Sequence, residues 1–247
     1  MPHVIMRKTR YKRKKIGLFI SFEGIDGSGK TTQLKLLFLA LKRRGLKVKI
    51  IDFPRYGKPS SYFIRKYLKG EFGGWQITDP HLISIFYALD RLDAKEELAK
   101  SIAGNDVVLA NRYTASNMAH QGAKIIKSIS SRAKSRDYLD RRVLQDFLRW
   151  LYNFEFKLLE IPKPDLNLLL YLDPKVAVKL IKTRGRKTDI HEESFRHLSQ
   201  AAAAYLEAAK LYPKEFRVIN CAPHGKLRTV ENIHKEVLEL VIDYVRS

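Results

Sequence analysis

The sequence predicts an α/β protein, a parallel β-sheet covered by helices on both faces. Three observations lead there. Strand-like apolar runs alternate with helical patterns along the chain, as in a parallel sheet built from crossover units. The run at 166–172 (LNLLLYL) is almost wholly apolar, as a strand buried on both faces requires. A glycine-rich turn, Gly24-Ile25-Asp26-Gly27-Ser28-Gly29-Lys30-Thr31, joins the first apolar run to the first helical pattern. With 247 residues and 45% hydrophobic content, the chain can build one sizeable core. We expect a single domain over 16–247 behind a basic extension at 1–15.

Each element follows in order. The first strand is expected at 16–22. An amphipathic helix pattern, with Leu34, Leu36, Leu37, Phe38, Ala40 and Leu41 as its apolar residues, stops at Gly45. The second strand, 47–53, ends at Pro54, and a short helix spans 61–69. Asp79-Pro80 opens a long helix whose apolar residues recur through Leu98, because proline suits the first helical position. Gly104-Asn105 ends it. The third strand is 106–110, with a loop and helix from Asn111. Residues 123–140 read as helix followed by a mobile stretch. A helix is expected over 142–159, with Pro162 and Pro164 ending it. The fourth strand is 166–172, followed by a helix at 174–182 and a charged connector at 183–192. A helix at 193–211, a fifth strand at 216–220 and a helix at 230–245 close the chain.

The turn at 24–31 has the form Gly-x-x-x-x-Gly-Lys-Thr between strand and helix, the context that gives this motif its meaning. It predicts the P-loop NTPase fold. Glycines let backbone N–H groups turn inward on phosphate oxygens, and the helix start adds its unpaired N–H groups and positive dipole end. Gly24, Asp26, Gly27, Ser28, Gly29, Lys30, Thr31 and Thr32 are therefore the candidate ATP-binding residues. Lys30 would reach the β- and γ-phosphates, and the Thr31 hydroxyl would ligate Mg²⁺.

The formal net charge is +21, densest before the first strand and scattered on helix faces elsewhere. A solvated basic surface accounts for it best, ahead of attraction of anionic nucleotides into a cleft; nucleic-acid binding is the weakest reading. No apolar run has the length of a membrane span, and no signal peptide is evident. The one cysteine, Cys221, forms no intramolecular disulfide, so a reducing cytoplasm is the expected location.

ATP-driven motors usually close an apolar strand with Asp, often followed by Glu, to activate water. No apolar strand here ends in an Asp-Glu pair; the third is followed by Asn111-Arg112-Tyr113. Transfer to a bound acceptor is favoured over hydrolysis. Arg55 and Arg112 follow successive strands, where ligands bind in such sheets, and guanidinium forks suit an anionic acceptor.

These segments together resemble the thymidylate kinase family. The resemblance rests on 22–33 (FEGIDGSGKTTQ), Phe53-Pro54-Arg55, Asp90-Arg91, Asn111-Arg112-Tyr113 with Ser116, Asn117 and Gln121, Pro164-Asp165-Leu166 and the connector 184–192, in order along the chain. It implies a five-stranded parallel sheet, Mg²⁺-dependent transfer from ATP to dTMP, and a homodimer. By this resemblance Arg55 and Arg112 hold the acceptor phosphate, Asp26 approaches the sugar 3′-hydroxyl or the acceptor phosphate, and Arg91 and Asn117 read the thymine edge. Phe53, Ser116 and Gln121 fall at substrate-binding positions, and Tyr87, preferred over Phe86, stacks on the base. The connector resembles a mobile lid, near 183–193, that supplies a catalytic arginine, Arg184 or Arg186, in place of one in the phosphate loop. Two positions depart from the family pattern: Asn111 stands where Asp is usual, and His120 where a tyrosine commonly crowds the ribose 2′ position. A related kinase with relaxed choice, accepting dUMP or UMP, is the alternative; a nucleic-acid-binding ATPase is a more distant one.

Overall fold

The computed structural model describes residues 17–73, 78–130, 137–183 and 192–246. Five strands, β1 (Leu18–Glu23), β2 (Val48–Asp52), β3 (Val107–Asn111), β4 (Leu166–Tyr171) and β5 (Phe216–Asn220), form one parallel sheet in the order β2-β3-β1-β4-β5. The strand order reverses around β1, so the crevice beyond the carboxyl ends of β1 and its neighbours is where a ligand belongs. The predicted strands are all present, with ends displaced by at most two residues.

The helices are α1 (Lys30–Arg43), α2 (Tyr62–Leu68), α3 (Pro80–Asp93), α4 (Lys95–Gly104), α5 (Thr114–Ser130), α6 (Asp137–Asn153), α7 (Pro174–Thr183), α8 (Glu192–Leu211) and α9 (Val230–Arg246). Period-two alternation sorts β3 onto two core layers. Val107 and Leu109 pack with Ile20, Phe22 and residues of α1, α5, α8 and α9, whereas Val108 and Ala110 pack with Phe19, Phe53, Leu98 and Tyr113. On the first face, α5 and α8 lie close because Gly122 has no side chain: a Cβ there would come within 3.1 Å of both Ala204 and Leu144.

Two expectations need correction. The long helix from Pro80 is two helices. Asp79 caps the first by accepting from the Leu82 amide at 2.9 Å, as expected. At Ala94 the backbone tightens, its N–H turning to Arg91 O at 3.1 Å, and α4 starts afresh. Alanine is the best helix former, so composition carries no trace of this break. The helix expected over 142–159 begins at Asp137 and ends at Asn153. A π-helical turn, Phe154–Leu158, follows, closed by Leu159 N–H on Phe154 O at 3.0 Å. The extra residue in that turn brings Glu155 to the interior. Of the stretch 123–140, α5 and the start of α6 are helical, and 131–136 lie outside the described residues.

Cys221 is buried just after β5, and burial pushes its thiol up to about 12. No helix among the described residues is long and apolar enough to cross a membrane.

Candidate active site

The glycine-rich turn leaves β1 at its carboxyl end and enters α1. Gly24 has φ 139°, and a Cβ there would meet Leu170 O at 2.5 Å and Ser28 Oγ at 2.8 Å, so both torsion and space demand glycine. Gly29, at φ 86°, is the N-cap of α1, and no side chain caps that helix. Ser28 Oγ is buried without a hydrogen-bond partner. An orphaned hydroxyl beside an uncapped helix start is an anion cradle. Lys30, 7% exposed, is folded onto the loop, donating to Ile25 O at 2.9 Å and lying 3.9 Å from Asp26. Burial, then the neighbouring Arg112 charge, bring its ammonium down to about 7. Thr31 and Thr32 occupy the exposed first turn.

Parallel pairing of β1 with β3 sets Phe22 beside Asn111, and Arg112 N–H donates to Phe22 O at 3.0 Å. Arg112 itself lies in the left-handed backbone region, φ 64°, a position that costs a non-glycine residue free energy. Its guanidinium donates to Asp26 Oδ1 at 2.5 Å, to Ser116 Oγ at 3.3 Å and to His120 Nε2 at 3.1 Å. Burial alone would raise Asp26, but Arg112 and then Lys30 outweigh it and hold the carboxyl below its ordinary value. Ser116 is drawn inward: its hydroxyl donates to Glu23 Oε2 at 2.6 Å and lies 2.8 Å from the Tyr205 hydroxyl. Glu23 is buried, which raises its carboxyl, and its Oε1 has no partner.

A second buried cluster lies where α3, α5 and the π turn meet. Arg91, 2% exposed, donates from Nε and Nη2 to Glu155 at 2.6 and 2.5 Å. Thr114 Oγ1 donates to the same carboxylate at 2.7 Å, and Asn117 Nδ2 at 3.2 Å. Asn117 Nδ2 also reaches Ser84 O at 3.1 Å. Two acceptors are left over: Asn117 Oδ1 and Gln121 Oε1, one turn apart on α5, are both buried with no partner. Two orphaned carbonyls of this kind suit a ligand that presents N–H groups. Tyr87 sits within the electrostatic reach of Arg112 and Arg91, and burial raises its phenol. Phe86 instead stacks on Phe63 at 5.1 Å and 21°. Phe53 is buried edge-on against Tyr113, ring centroids 5.2 Å apart.

Arg55 is surrounded by acidic groups of α3 and α4. Its amide donates to Asp90 Oδ2 at 2.8 Å, and its guanidinium binds Asp90 O, Ser60 Oγ, Asp93 and, at 3.6 Å, Glu97. None of these groups is a partner of Arg112. Asp93 and Glu97, four residues apart across the junction of α3 and α4, both lie on this one guanidinium, and the arginine is held there. Asn111 Nδ2 donates to Asp52 Oδ1 at 2.8 Å, so a carboxylate from the neighbouring strand end lies beside it. Arg184 and Arg186 lie outside the described residues.

Four residues escaped the sequence reading. Glu155 is a lone carboxylate in an apolar run, a signal that was present but easily read as surface. Tyr205 and His197 lie on α8, remote in sequence, with no local signature. Tyr56 follows Arg55, and the charges of Arg112, Asp26 and Asp90 all bear on its hydroxyl.

Strand order and cradle define an α/β nucleotide-binding protein of the phosphate-loop type, with anion-recognising groups gathered around the end of β1. Comparison with known proteins agrees. The thymidylate kinase family model matches residues 22–137. A thymidylate kinase of Mycobacterium tuberculosis is 30% identical over 198 residues, 78% of this chain and 86% of the relative. A thymidylate kinase of Ruegeria pomeroyi is 29% identical over 93% of this chain and 96% of its own length. A Pyrococcus horikoshii protein named "probable thymidylate kinase" is 28% identical over 91% and 96%. This chain belongs to the thymidylate kinase family.

The lowered ammonium of Lys30 has a measurable consequence. Below pH 7 it is charged before any ligand arrives; above pH 7 it is neutral in the free protein and must take up a proton when polyphosphate surrounds it. Calorimetry of a non-hydrolysable ATP analogue in buffers of different ionisation enthalpy should show proton uptake at pH 8 that exceeds uptake at pH 6. Equal uptake at both would mean that Lys30 is charged throughout.

Proposed function

We propose that this chain, like its family, phosphorylates dTMP to dTDP using ATP, with the two nucleotides meeting over the end of β1. The Asp26–Arg112 contact carries the reading, because it couples the donor loop to the acceptor side across adjacent strands. The cradle of Gly24, Gly27, Ser28, Gly29, Lys30, Thr31 and Thr32 holds the donor phosphates. A phosphate oxygen of dTMP bonds to the γ-phosphorus while the bond to the β–γ bridging oxygen breaks and ADP leaves. Arg112 steers that acceptor phosphate and disperses charge as it spreads in the transition state. The orphaned carbonyl of Asn117 or of Gln121 accepts the single N–H that thymine presents, at N3, the Arg91 guanidinium, fixed by Glu155, borders the base, and Tyr87 covers it. Arg55 grips the acceptor only after leaving its acidic partners.

Mg²⁺ is the expected metal. It is commonly bound through one or two protein oxygens, with phosphates and water supplying the rest. The exposed Thr31 at the start of α1 and the Asp26 carboxylate, 65% exposed, fit that demand. When bound, the ion would neutralise charge between the β- and γ-phosphates. The single domain, the lid at 183–193 and a cytoplasmic location complete the proposal.

One observation favours the broader alternative. His120, where the family places a sugar-crowding tyrosine, has both ring nitrogens engaged by other protein groups. A coupled assay over dTMP, dUMP, UMP, dCMP and dGMP with Mg·ATP tests both readings. We expect dTMP first, with dUMP lower by about ten- to two-hundredfold if one methyl pocket is the discriminator. Preference for dGMP or dCMP would overturn the thymine assignment, and UMP turnover equal to that of dTMP would replace it by the broader one.

For the lid, changing Arg184 and Arg186 together to Ala should lower kcat more than it raises the acceptor KM. Unchanged turnover would remove the lid arginine from the mechanism.

A homodimer fits the exposed apolar face on which Leu82, Phe86 and Leu89 of α3 lie beside Phe63 and Phe72. Sedimentation should give a dimer that Leu89→Glu converts to monomer; a monomeric native chain would refute it.

A further inference from the structure

We propose that His120, in its Nδ1–H tautomer, is the positioning residue that holds Arg112 against Asp26, and that His197 locks that tautomer from α8. The inference rests on the role given above to Arg112. It begins from one fixed donor. A guanidinium N–H can only donate, so the 3.1 Å contact from Arg112 Nη1 makes His120 Nε2 an acceptor. The ring proton therefore sits on Nδ1 and is donated to His197 Nε2 at 3.2 Å. The opposite direction would need a proton on His120 Nε2, facing the arginine. Both imidazoles are thus oriented by a single guanidinium, and their rings stack at 5.5 Å and 24°. The pair spans the α5–α8 contact that Gly122 keeps close.

The result is a four-membered relay, Asp26–Arg112–His120–His197, running from the phosphate loop to α8, the helix that follows the 183–193 segment. Arg112 is a strained residue on a strand end, so side-chain partners must specify its guanidinium plane. Asp26 holds one edge and His120 the other, with Ser116 at 3.3 Å. The charged and titratable groups facing His120 are Arg112 after β3, His197 and Tyr205 on α8, Asp26 in the phosphate loop and Lys30 on α1; Lys124 of α5 bears on His197. Burial, then Arg112 and His197, keep His120 neutral well below the usual histidine range, and Asp26 opposes them. A proton on Nε2 would replace the hydrogen bond by two cations in contact and swing Arg112 out of line.

The test separates positioning from packing. Nitrogen-15 NMR of ligand-free protein at pH 7.5 should find His120 as the Nδ1–H tautomer; the Nε2–H or doubly protonated form would overturn the assignment without any turnover being measured. In the coupled dTMP assay, His120→Leu should lower kcat by about ten- to a hundredfold, the scale of one charge-assisted hydrogen bond, with the KM for ATP little moved. His120→Gln offers Oε1 to Arg112 and an amide N–H to His197. It should recover most of that loss and abolish the fall in rate that the native enzyme shows as acid protonates His120. His120→Leu turning over like the native enzyme, or His120→Gln no better than His120→Leu, would refute the proposal. Arg112→Ala is the companion variant: if it were unimpaired, the role given to Arg112 would fail, while the tautomer measurement would still decide the contact.

Discussion

The in-register pairing of β1 with β3 governs everything at this site. Phe22 lies beside Asn111, and just past this pair each strand ends and its chain departs into a different task. Beyond β1 the backbone wraps into an anion cradle. Beyond β3 it twists into the left-handed region and throws the Arg112 side chain back toward that cradle. A slip of one residue would exchange the faces of every side chain on the strand. It is resisted by core residues that alternate between two layers, Val107 and Leu109 on one and Val108 and Ala110 on the other. Precision at the rim is thus inherited from burial below it.

Around that rim the protein spends free energy on buried polarity. Glu155 is desolvated, yet Arg91, Thr114 and Asn117 all donate to it, so the carboxylate is well satisfied and the orientation of three side chains is coupled. Glu23 plays a similar part under the phosphate loop, accepting from Ser116 and Tyr205. Buried ion pairs are poor sources of stability, and a well-packed apolar cluster would often do better. What they provide here is direction. Acceptors on Asn117 and Gln121 are left unmatched, toward whatever ligand supplies hydrogens.

Much of this was legible from residue order alone. The alternation of apolar runs located all five strands, and the Gly-x-x-x-x-Gly-Lys-Thr pattern located the tight turn between β1 and α1. Arg112 was found because it follows an apolar strand. The reading faltered where tertiary geometry overrides local preference. A break at Ala94 has no compositional mark. The inward turn of Glu155 needs a π-helical residue that periodicity cannot foresee. Arg55 follows the same logic as Arg112, but its acidic partners come from α3 and α4, some 35 to 42 positions away, and no local pattern announces them. Partners on α8, such as Tyr205 and His197, are invisible until the chain has closed upon itself.

The sole cysteine offers a practical opening. Cys221 is sealed in the core and its thiol stays protonated near neutrality, so maleimide dyes and spin labels should pass it by. A reporter cysteine placed between 184 and 191 can then be tagged selectively in the otherwise unaltered enzyme, opening that segment to fluorescence or paramagnetic distance measurement during turnover.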